Sequence, residues 1–516
     1  MATVGLASLL TATAQKADGA ATAYNDLPFE MRAVAEPKIP DYEVRLTDFG
    51  GVADGTTMNT EAFRKAIAAL AQRGGGRLTV ARGVWLTGPI ELKSNTELHL
   101  EEGALVLFSP NRADYPLVDS YFEGVRMRRC MSPLTAVNAE NIAITGTGVF
   151  NGNGQSWRPV KRGKMTDGQW KALCKGGALN KKGDVWYPTE QIRDIDADRD
   201  KYYQRAYSEN TDEAWQELHD YLRPALLSFI GCKRVLLEDA TFENSPAWNI
   251  HPLMCEDLTV RNVTIRNPWY SQNGDGLDIE SCSNVVVTGC SFDVGDDAMC
   301  IKSGRDEEGR KRAMPTQNVV IRDCRVYHGH GGFVIGSEMS GGARNIMVDN
   351  CLFIGTDTGL RFKSTRGRGG TVEDIFIRNI GMADIPGDAI TFDLYYGGKA
   401  PLEVAGKGGN QTAAPIPTVD ETTPSFRNIS VEGVTCNGAK RAIYMNGLPE
   451  MPIKDIKISR STFKAQEGAI LNYTDGLTLD GVKITAADGK AIKKYNNVTN
   501  LSVEMVNSLI PALVTD

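Results

Sequence analysis

One short strand pattern recurs along the chain and limits its fold more than any other feature. A polar residue, often Asn, precedes Val/Ile-x-Val/Ile, and two polar residues and Cys/Val/Ala-x-Phe/Ile follow. Asn284-Val285-Val286-Val287, Asn318-Val319-Val320-Ile321 and Asn345-Ile346-Met347-Val348 are examples. The first apolar positions fall at 235, 258, 285, 319, 346, 375, 429, 456, 477 and 501, so all intervals but one lie between 21 and 34 residues. The exception, 54 residues, reads as two periods of 27 with an extra rung near Ala389-Ile390-Thr391-Phe392. A period of about 20–30 residues with a strand in each unit marks a solenoid. Helices between the strands would give β–α–β units instead. Gly, Asn and Asp separate these strands, and 53 of the 516 residues are Gly. The expected fold is all-β: a right-handed, single-stranded parallel β-helix whose stacked rungs bury one continuous core.

A solenoid grows along its axis, so residues 41–516 read as a single β-helix domain despite their length. One amphipathic helix is expected at about 61–72, with Phe63, Ile67 and Leu70 as its apolar stripe and Asn59 or Thr60 as its cap. It precedes the first strands and would plug the N-terminal end of the core. Residues 155–222 are charged, partly helical and out of period, and read as an insertion between rungs. Residues 1–14 are small and apolar and end Ala12-Thr13-Ala14, which suits the tail of an export signal. Residues 15–40 read as a polar linker. Cys290, Cys324 and Cys351 share one repeat position and are expected as a buried column of thiols rather than disulfides.

With 57 Lys and Arg against 64 Asp and Glu, the net charge is −7, which argues against a nucleic-acid partner. No apolar run reaches the ~18 residues of a membrane-spanning helix. An exported monomer, periplasmic or extracellular, is expected.

Four polar clusters fall at related points of consecutive repeats: Asn273-Gly274-Asp275, Gly295-Asp296-Asp297, Gly329-His330-Gly331 and Arg361-Phe362-Lys363. Stacked about 5 Å apart, they would put three carboxylates, an imidazole and two cations in one patch on the outside of the coil. Each cluster alone is weak, because Asp pairs are common in turns and Arg-x-Lys on a strand usually faces water. Their common phasing is the signal. Crowded carboxylates raise the pKa of one member, as a general acid requires. A second carboxylate then activates water, the arrangement for cleaving a glycosidic bond with inversion. Arg361 and Lys363 suit an acidic sugar. Neither metal nor cofactor is called for.

These residues resemble glycoside hydrolase family 28, the polygalacturonases, over roughly residues 44–490. The Phe49-Gly50-Gly51 to Asp54-Gly55 segment, the Gly74-Gly75-Gly76 turn and Gly83 are similar to the start of pectin-degrading β-helices. The resemblance implies the pectin-lyase-like solenoid and hydrolysis of α-1,4-linked galacturonate. It implies Asp296 as general acid, Asp275 and Asp297 as the pair that activates water, and His330 as the residue that tunes the acid. It also implies Arg361 and Lys363 as binders of the sugar carboxylate, Asn273 as a positioning residue, and Tyr395 or Tyr396, with Tyr395 preferred, as the tyrosine closing the site. Two departures stand out: Gly274 replaces the family's usual Thr, and Ala298-Met299 precede Cys300 where Cys usually comes next. Rhamnogalacturonan hydrolases typically lack the His and the Arg-x-Lys pair, so galacturonate is favoured on both sides of the bond. The 155–222 insertion, if it blocks the groove, makes exo action the preferred mode over endo. Glu338 reads as a loop-stabilising residue, and Trp248, Trp269 and Tyr270 as either sugar platforms or packing. A pectate lyase and a non-catalytic glycan-binding solenoid are the remaining alternatives.

Overall fold

The asparagines that open the repeats do so for a conformational reason. Asn284, Asn318 and Asn345 adopt φ of 56°, 55° and 54°, the left-handed region that Asn tolerates better than most side chains. The same turn position carries Asn95, Asn141, Arg234, Asp257, Asp374, Asn428, Asp455, Gly476 and Asn500, all at positive φ. Neighbouring amides bond along this column, Asn318 Nδ2 donating to Asn284 Oδ1 (3.3 Å) and Asn345 Nδ2 to Asn318 Oδ1 (3.1 Å).

In the computed structural model, which describes residues 24, 26–397, 415–505 and 513–514, these turns wind the chain into a right-handed parallel β-helix with three strand faces per coil. One coil runs through strands Ser283–Thr288, Ser291–Asp293 and Asp297–Lys302. Val285 stands in register between Leu258 and Val319, and Phe292 between Ile265 and Val326. Alternation sends Val285, Val287, Phe292, Met299 and Ile301 into one core that runs the length of the coil. Each such side chain contributes about 1.5–3 kcal/mol.

The 54-residue interval is not two rungs. Ile375 pairs directly with Ile429, and Ile390 lies between Leu360 and Ile443 as the third strand of the same coil. The extra length lies between Asp393 and Ser425, so spacing alone overcounted by one rung.

The N-terminal helix spans Thr60–Gln72 and buries Ala62, Phe63, Ala66, Ile67 and Leu70 on the end of the core. Asn59 sits at its N-cap position, but its side chain bonds Val52, Thr57 and Leu86 instead of the helix. Residues 26–40 are no free linker. Leu27, Phe29, Met31 and Val34 cover the outward-facing Val286, Val320 and Met347, and Arg32 bonds Asp257 at 2.6 and 2.9 Å. Residues 1–14, read as an export-signal remnant, lie outside the described residues. All ten cysteines are free thiols, with Cys290, Cys324 and Cys351 stacked as expected.

The insertion holds helices Asp167–Leu173, Glu190–Ala197, Arg199–Glu209 and Asp212–Glu217 beside a small antiparallel sheet. Ile195, Ala206, Trp215 and Leu218 give it a core of its own. A hairpin, Leu117–Phe122 with Val125–Cys130, packs against it through Leu117 and Met127. Sequence reading missed this hairpin, because it alternates weakly and interrupts a region otherwise in period.

Candidate active site

The third strand face carries the polar clusters on its outer side. Leu277 pairs with Met299, which sets Asp275 beside Asp297 one rung on, and Gly276 N–H donates to Asp297 O at 2.9 Å. Asp297 pairs with Gly331, so His330 lies beside Asp296 and donates its N–H to Asp296 O at 2.8 Å. Asp275, Asp296 and Asp297 each offer a carboxylate oxygen within 4.8 Å of the other two. Arg361 and Lys363 sit two rungs from Asp297 and a few residues further along the face, yet both reach back to it. Arg361 Nη1 is 3.3 Å from Asp297 Oδ1, and Lys363 Nζ is 2.6 Å from Oδ2. The stem of Arg361 passes Gly331, where a Cβ would lie 3.5 Å from the arginine side chain and 2.4 Å from Val334 Cγ2. His330 Nδ1 is 3.0 Å from Asp296 Oδ1, and its Nε2 is 3.8 Å from Asp357 Oδ2.

Environment separates the carboxyls. Asp275 is buried, its Oδ1 has no partner within the protein, and burial together with the charge of Asp296 pushes it well above the usual carboxylate range. Asp297 is equally buried, but the charges of Lys363, Arg361 and Lys302 outweigh burial and hold it well below that range. Burial first and crowding by Asp296 second thus raise Asp275, a member of the expected water-activating pair. The hydrogen bond to Asp296 raises His330, with burial opposing. Three carboxylates this close raise the question of a cation site. Both oxygens of Asp297 are already held by Lys363 and Arg361, however, so the cluster carries its own counter-charges.

The rest of the chain follows the same lineage. The model of Glycosyl hydrolases family 28 matches residues 195–461. The chain is 28% identical to an exo-poly-alpha-D-galacturonosidase of Dickeya chrysanthemi over 478 residues, covering 90% of this chain and 71% of that protein. It is 28% identical over 434 residues to a probable polygalacturonase of Vitis vinifera, covering 82% of this chain and 74% of that one. Among solved structures, a hyperthermoactive exopolygalacturonase from Thermotoga maritima superposes with a TM-score of 0.72 at 34% identity, covering 88% of this chain and 94% of that one. The chain belongs to glycosyl hydrolases family 28.

Both departures from the family 28 motifs have a local setting. A Cβ on Gly274 would lie 1.8 Å from Ser271 Oγ and one on Gly295 2.3 Å from it, so Ser271 fills the space that a side chain at 274 would take. Cys300 is a buried free thiol on the outer side of its strand, while its neighbours Met299 and Ile301 join the core. Asn273 has φ of 53° and accepts a hydrogen bond from Arg223 Nη2 at 2.9 Å.

Of the two tyrosines after Asp393, Tyr396 faces the cations, its ring 4.8 Å from Lys363 Nζ and 5.6 Å from Arg361 Cζ. The preferred Tyr395 stacks against Arg366 at 5.3 Å and lines the same C-terminal cavity as Tyr396. Nothing in two adjacent tyrosines could separate them, since consecutive residues differ only in the side of the chain they face. Trp248 is packing, buried between Phe122, His251 and Lys302. Tyr270 packs against the insertion, whereas Trp269 is half exposed with Lys164 above its ring.

Sequence reading missed a buried layer beneath the site. Asp278 is wholly buried, and Lys302 Nζ lies 3.5 Å from it and 3.0 Å from Glu338 Oε2. Glu338, which also accepts from Ser337 Oγ, pairs with Lys302 as a loop-stabilising residue. The signal was present: Asp278 stands between the apolar Leu277 and Ile279, where strand alternation turns it to the outer side.

Two cavities flank the carboxylates. One of about 350 Å³ lies on the N-terminal side, with Asn273, Arg129, Arg199, Arg223, Arg305 and Tyr203 among its lining. The other, about 210 Å³, lies on the C-terminal side between Arg361, Lys363, Tyr396, Asp388, Arg441 and Asn446.

Proposed function

We propose that this protein is an exo-acting polygalacturonase that cleaves α-1,4-galacturonosidic bonds with inversion and releases sugar from the non-reducing end. The observation that carries the reading is the joining of Arg361 and Lys363 to Asp297 within the cluster that holds Asp275 and Asp296. A fixed pair of cations beside three acids suits a substrate that brings a carboxylate to the bond being cut.

Asp296 donates a proton to the glycosidic oxygen as the bond to the anomeric carbon breaks. A water held by Asp275 and Asp297 attacks that carbon and loses its proton to one of them, so two hydroxyl-bearing products form from one bond and one water. His330 orients Asp296 through the 3.0 Å contact and tunes its protonation. Asn273 positions the sugar on one side, and Arg361, Lys363 and Tyr396 hold it on the other. The three carboxyls lie closer together than the ~6.5–9.5 Å usual for inverting pairs. We assign inversion because both oxygens of Asp297 are engaged by cations, which weakens it as a nucleophile, whereas the free oxygen of Asp275 suits a water.

Exo action follows from the N-terminal cavity. Arg199, Tyr203, Tyr207 and Tyr221 of the insertion line it together with Asn273. At about 350 Å³ it sits at the small end of ligand pockets, ~300–1,000 Å³, which suits a chain end rather than a continuing polymer. No helix among the described residues is long and apolar enough to cross a membrane. We place the protein outside the cytoplasm as a monomer, on the apolar N-terminal stretch and the polymeric substrate.

Time-resolved product analysis on polygalacturonate tests the reading. Short product alone from the first turnover is expected, and a spread of oligomers would make the enzyme endo-acting. Proton NMR of the first-formed anomer decides stereochemistry: the β-anomer is expected, and the α-anomer would overturn inversion. Asp296→Asn should abolish reducing-sugar release in a folded protein, and a wild-type rate would end the assignment.

A further inference from the structure

Four guanidiniums and two carboxylates line the N-terminal cavity, and each carboxylate already has an arginine beside it. Glu123 pairs with Arg305 at 3.2 Å, and Asp200 stands 3.9 Å from Arg199. Arg129 and Arg223 are left without an acid. Arg129, on strand Val125–Cys130, is only 6% exposed. Its Nη2 donates to Arg223 O, its Nη1 reaches Met127 Sδ at 3.8 Å, and its Nε has no partner in the protein. Arg223 donates to Pro246 O, Gln272 O and Asn273 Oδ1, none of them charged. We propose that the Arg129 guanidinium, backed by the charge of Arg223, takes the carboxylate of the sugar at the non-reducing end, so that the enzyme selects chains whose terminal galacturonate is unesterified.

A buried charge without a counter-charge is costly. The ring of Phe122, 3.8 Å from Arg129 Cζ, packs against the guanidinium but carries no net charge. Burial pushes both guanidiniums down, Arg223 to about 10, where the charge of Arg129 adds to the effect. Arginine keeps its proton at neutral pH, so the cavity holds two unneutralised positive charges. Arg158 is buried without an acid as well, but its donors go to Ser245 O and Asn244 Oδ1, and it lies outside the cavity.

Position makes the expected anion a sugar carboxylate. Asn273 lines the same cavity and accepts from Arg223, and Asp275 of the reacting cluster follows two residues later. Arg361 and Lys363 line the other cavity, on the C-terminal side, and are held by Asp297. They therefore do not read this end of the chain. A guanidinium matches a carboxylate through parallel hydrogen bonds. A methyl ester brings no charge and would leave the buried cation unpaired, a mismatch that discriminates strongly.

The proposal deepens the exo-polygalacturonase reading and rests on it. The test uses two trigalacturonates that differ only at the non-reducing residue, whose carboxyl is free in one and methyl-esterified in the other. The wild type should cleave the free trimer with a kcat/KM about 100-fold or more above that for the ester. Arg129→Met keeps much of the side chain's bulk but not its charge, and should bring that ratio to about threefold or less. Arg129→Lys keeps the charge without the fork and should leave about tenfold. A wild-type ratio near one, or an unchanged ratio in either variant, overturns the proposal. Should Arg129→Met not fold, the wild-type ratio and Arg129→Lys still decide it. A spread of oligomers from polygalacturonate would defeat the exo reading, and the trimer ratio would still report on the cavity. A wild type that cleaves neither trimer nor polygalacturonate defeats the hydrolase reading instead. Calorimetry of the intact trimers then carries the same comparison. The free trimer should bind more tightly than the ester in the wild type and equally in Arg129→Met, and equal binding in the wild type overturns the proposal.

Discussion

Lys363 Nζ stands 2.6 Å from Asp297 Oδ2, although 66 positions separate the two residues in sequence. Both are buried, so each charge depends on the other for the solvation it has lost. Lys363→Met should destabilise the protein by about 3–5 kcal/mol, because it leaves a buried carboxylate with only Arg361. Asp297 is held below its unfolded value, so its contribution is present at neutral pH and is lost as the pH falls through the acid range. Acid denaturation followed by circular dichroism should therefore show a weaker dependence on falling pH in the variant than in the wild type. Equal acid sensitivity would break the link between the pair and stability.

His330 makes a prediction of opposite sign. Its contact with Asp296 raises it, so any stability it adds is full below its unfolded value near 6.5 and fades as the pH climbs through its folded value. His330→Gln should lower kcat by about 10–100-fold with little change in KM, since the imidazole acts through Asp296 rather than on the sugar carboxylate. A KM effect without a kcat effect would assign His330 to binding instead.

The repeat was legible because geometry enforces it. A column of left-handed turns needs Asn, Asp or Gly at each coil, and the core needs Val, Ile or Phe in fixed register, so both leave periodic marks. Asp275 and Asp296–Asp297 were legible because they fall at matching points of consecutive rungs. What escaped lacks periodicity. The strap over Val286 and Val320 is a polar-looking segment whose few apolar residues meet their partners over 200 positions away. The contacts of Tyr396, and the enclosure of Asp278 and Lys302, depend on which loops fold over the face, and loop paths leave no pattern in spacing.

Arg223 fixes the edge of the N-terminal cavity. Its Nη1 donates to Pro246 O and Gln272 O, both at 2.9 Å, while Nη2 donates to Asn273 Oδ1 at 2.9 Å. Burial pushes this guanidinium down to about 10. A lysine cannot span three acceptors set for a planar fork. Arg223→Lys should lower kcat/KM on polygalacturonate by about tenfold or more, chiefly through KM. Combined with Asn273→Ala it should cost little beyond the larger single effect, since both substitutions release the same contact. Additive losses would show that Arg223 acts independently of Asn273.

The insertion is locked to the hairpin by a histidine whose two nitrogens both face acceptors. His219 Nδ1 is 2.8 Å from Asp220 Oδ1, and Nε2 is 2.9 Å from Tyr115 O, just before the hairpin that lines the cavity. Arg112 holds the far side of Asp220 at 2.8 Å and reaches Ser156 O at 2.6 Å. Donating from both ring nitrogens requires the imidazolium, and the Asp220 contact pushes His219 up to about 10. Its stabilising effect is complete below about pH 6.5 and is lost as the pH rises through about 10. His219→Gln keeps a donor but no charge. The gap in melting temperature between wild type and variant should be widest at acid to neutral pH and should close on the alkaline side. Because the same lock seats Tyr203 and Arg199 around the cavity, the variant should also release longer oligomers alongside the short product. A stability gap that widens with rising pH would mean that His219 is held as the neutral ring.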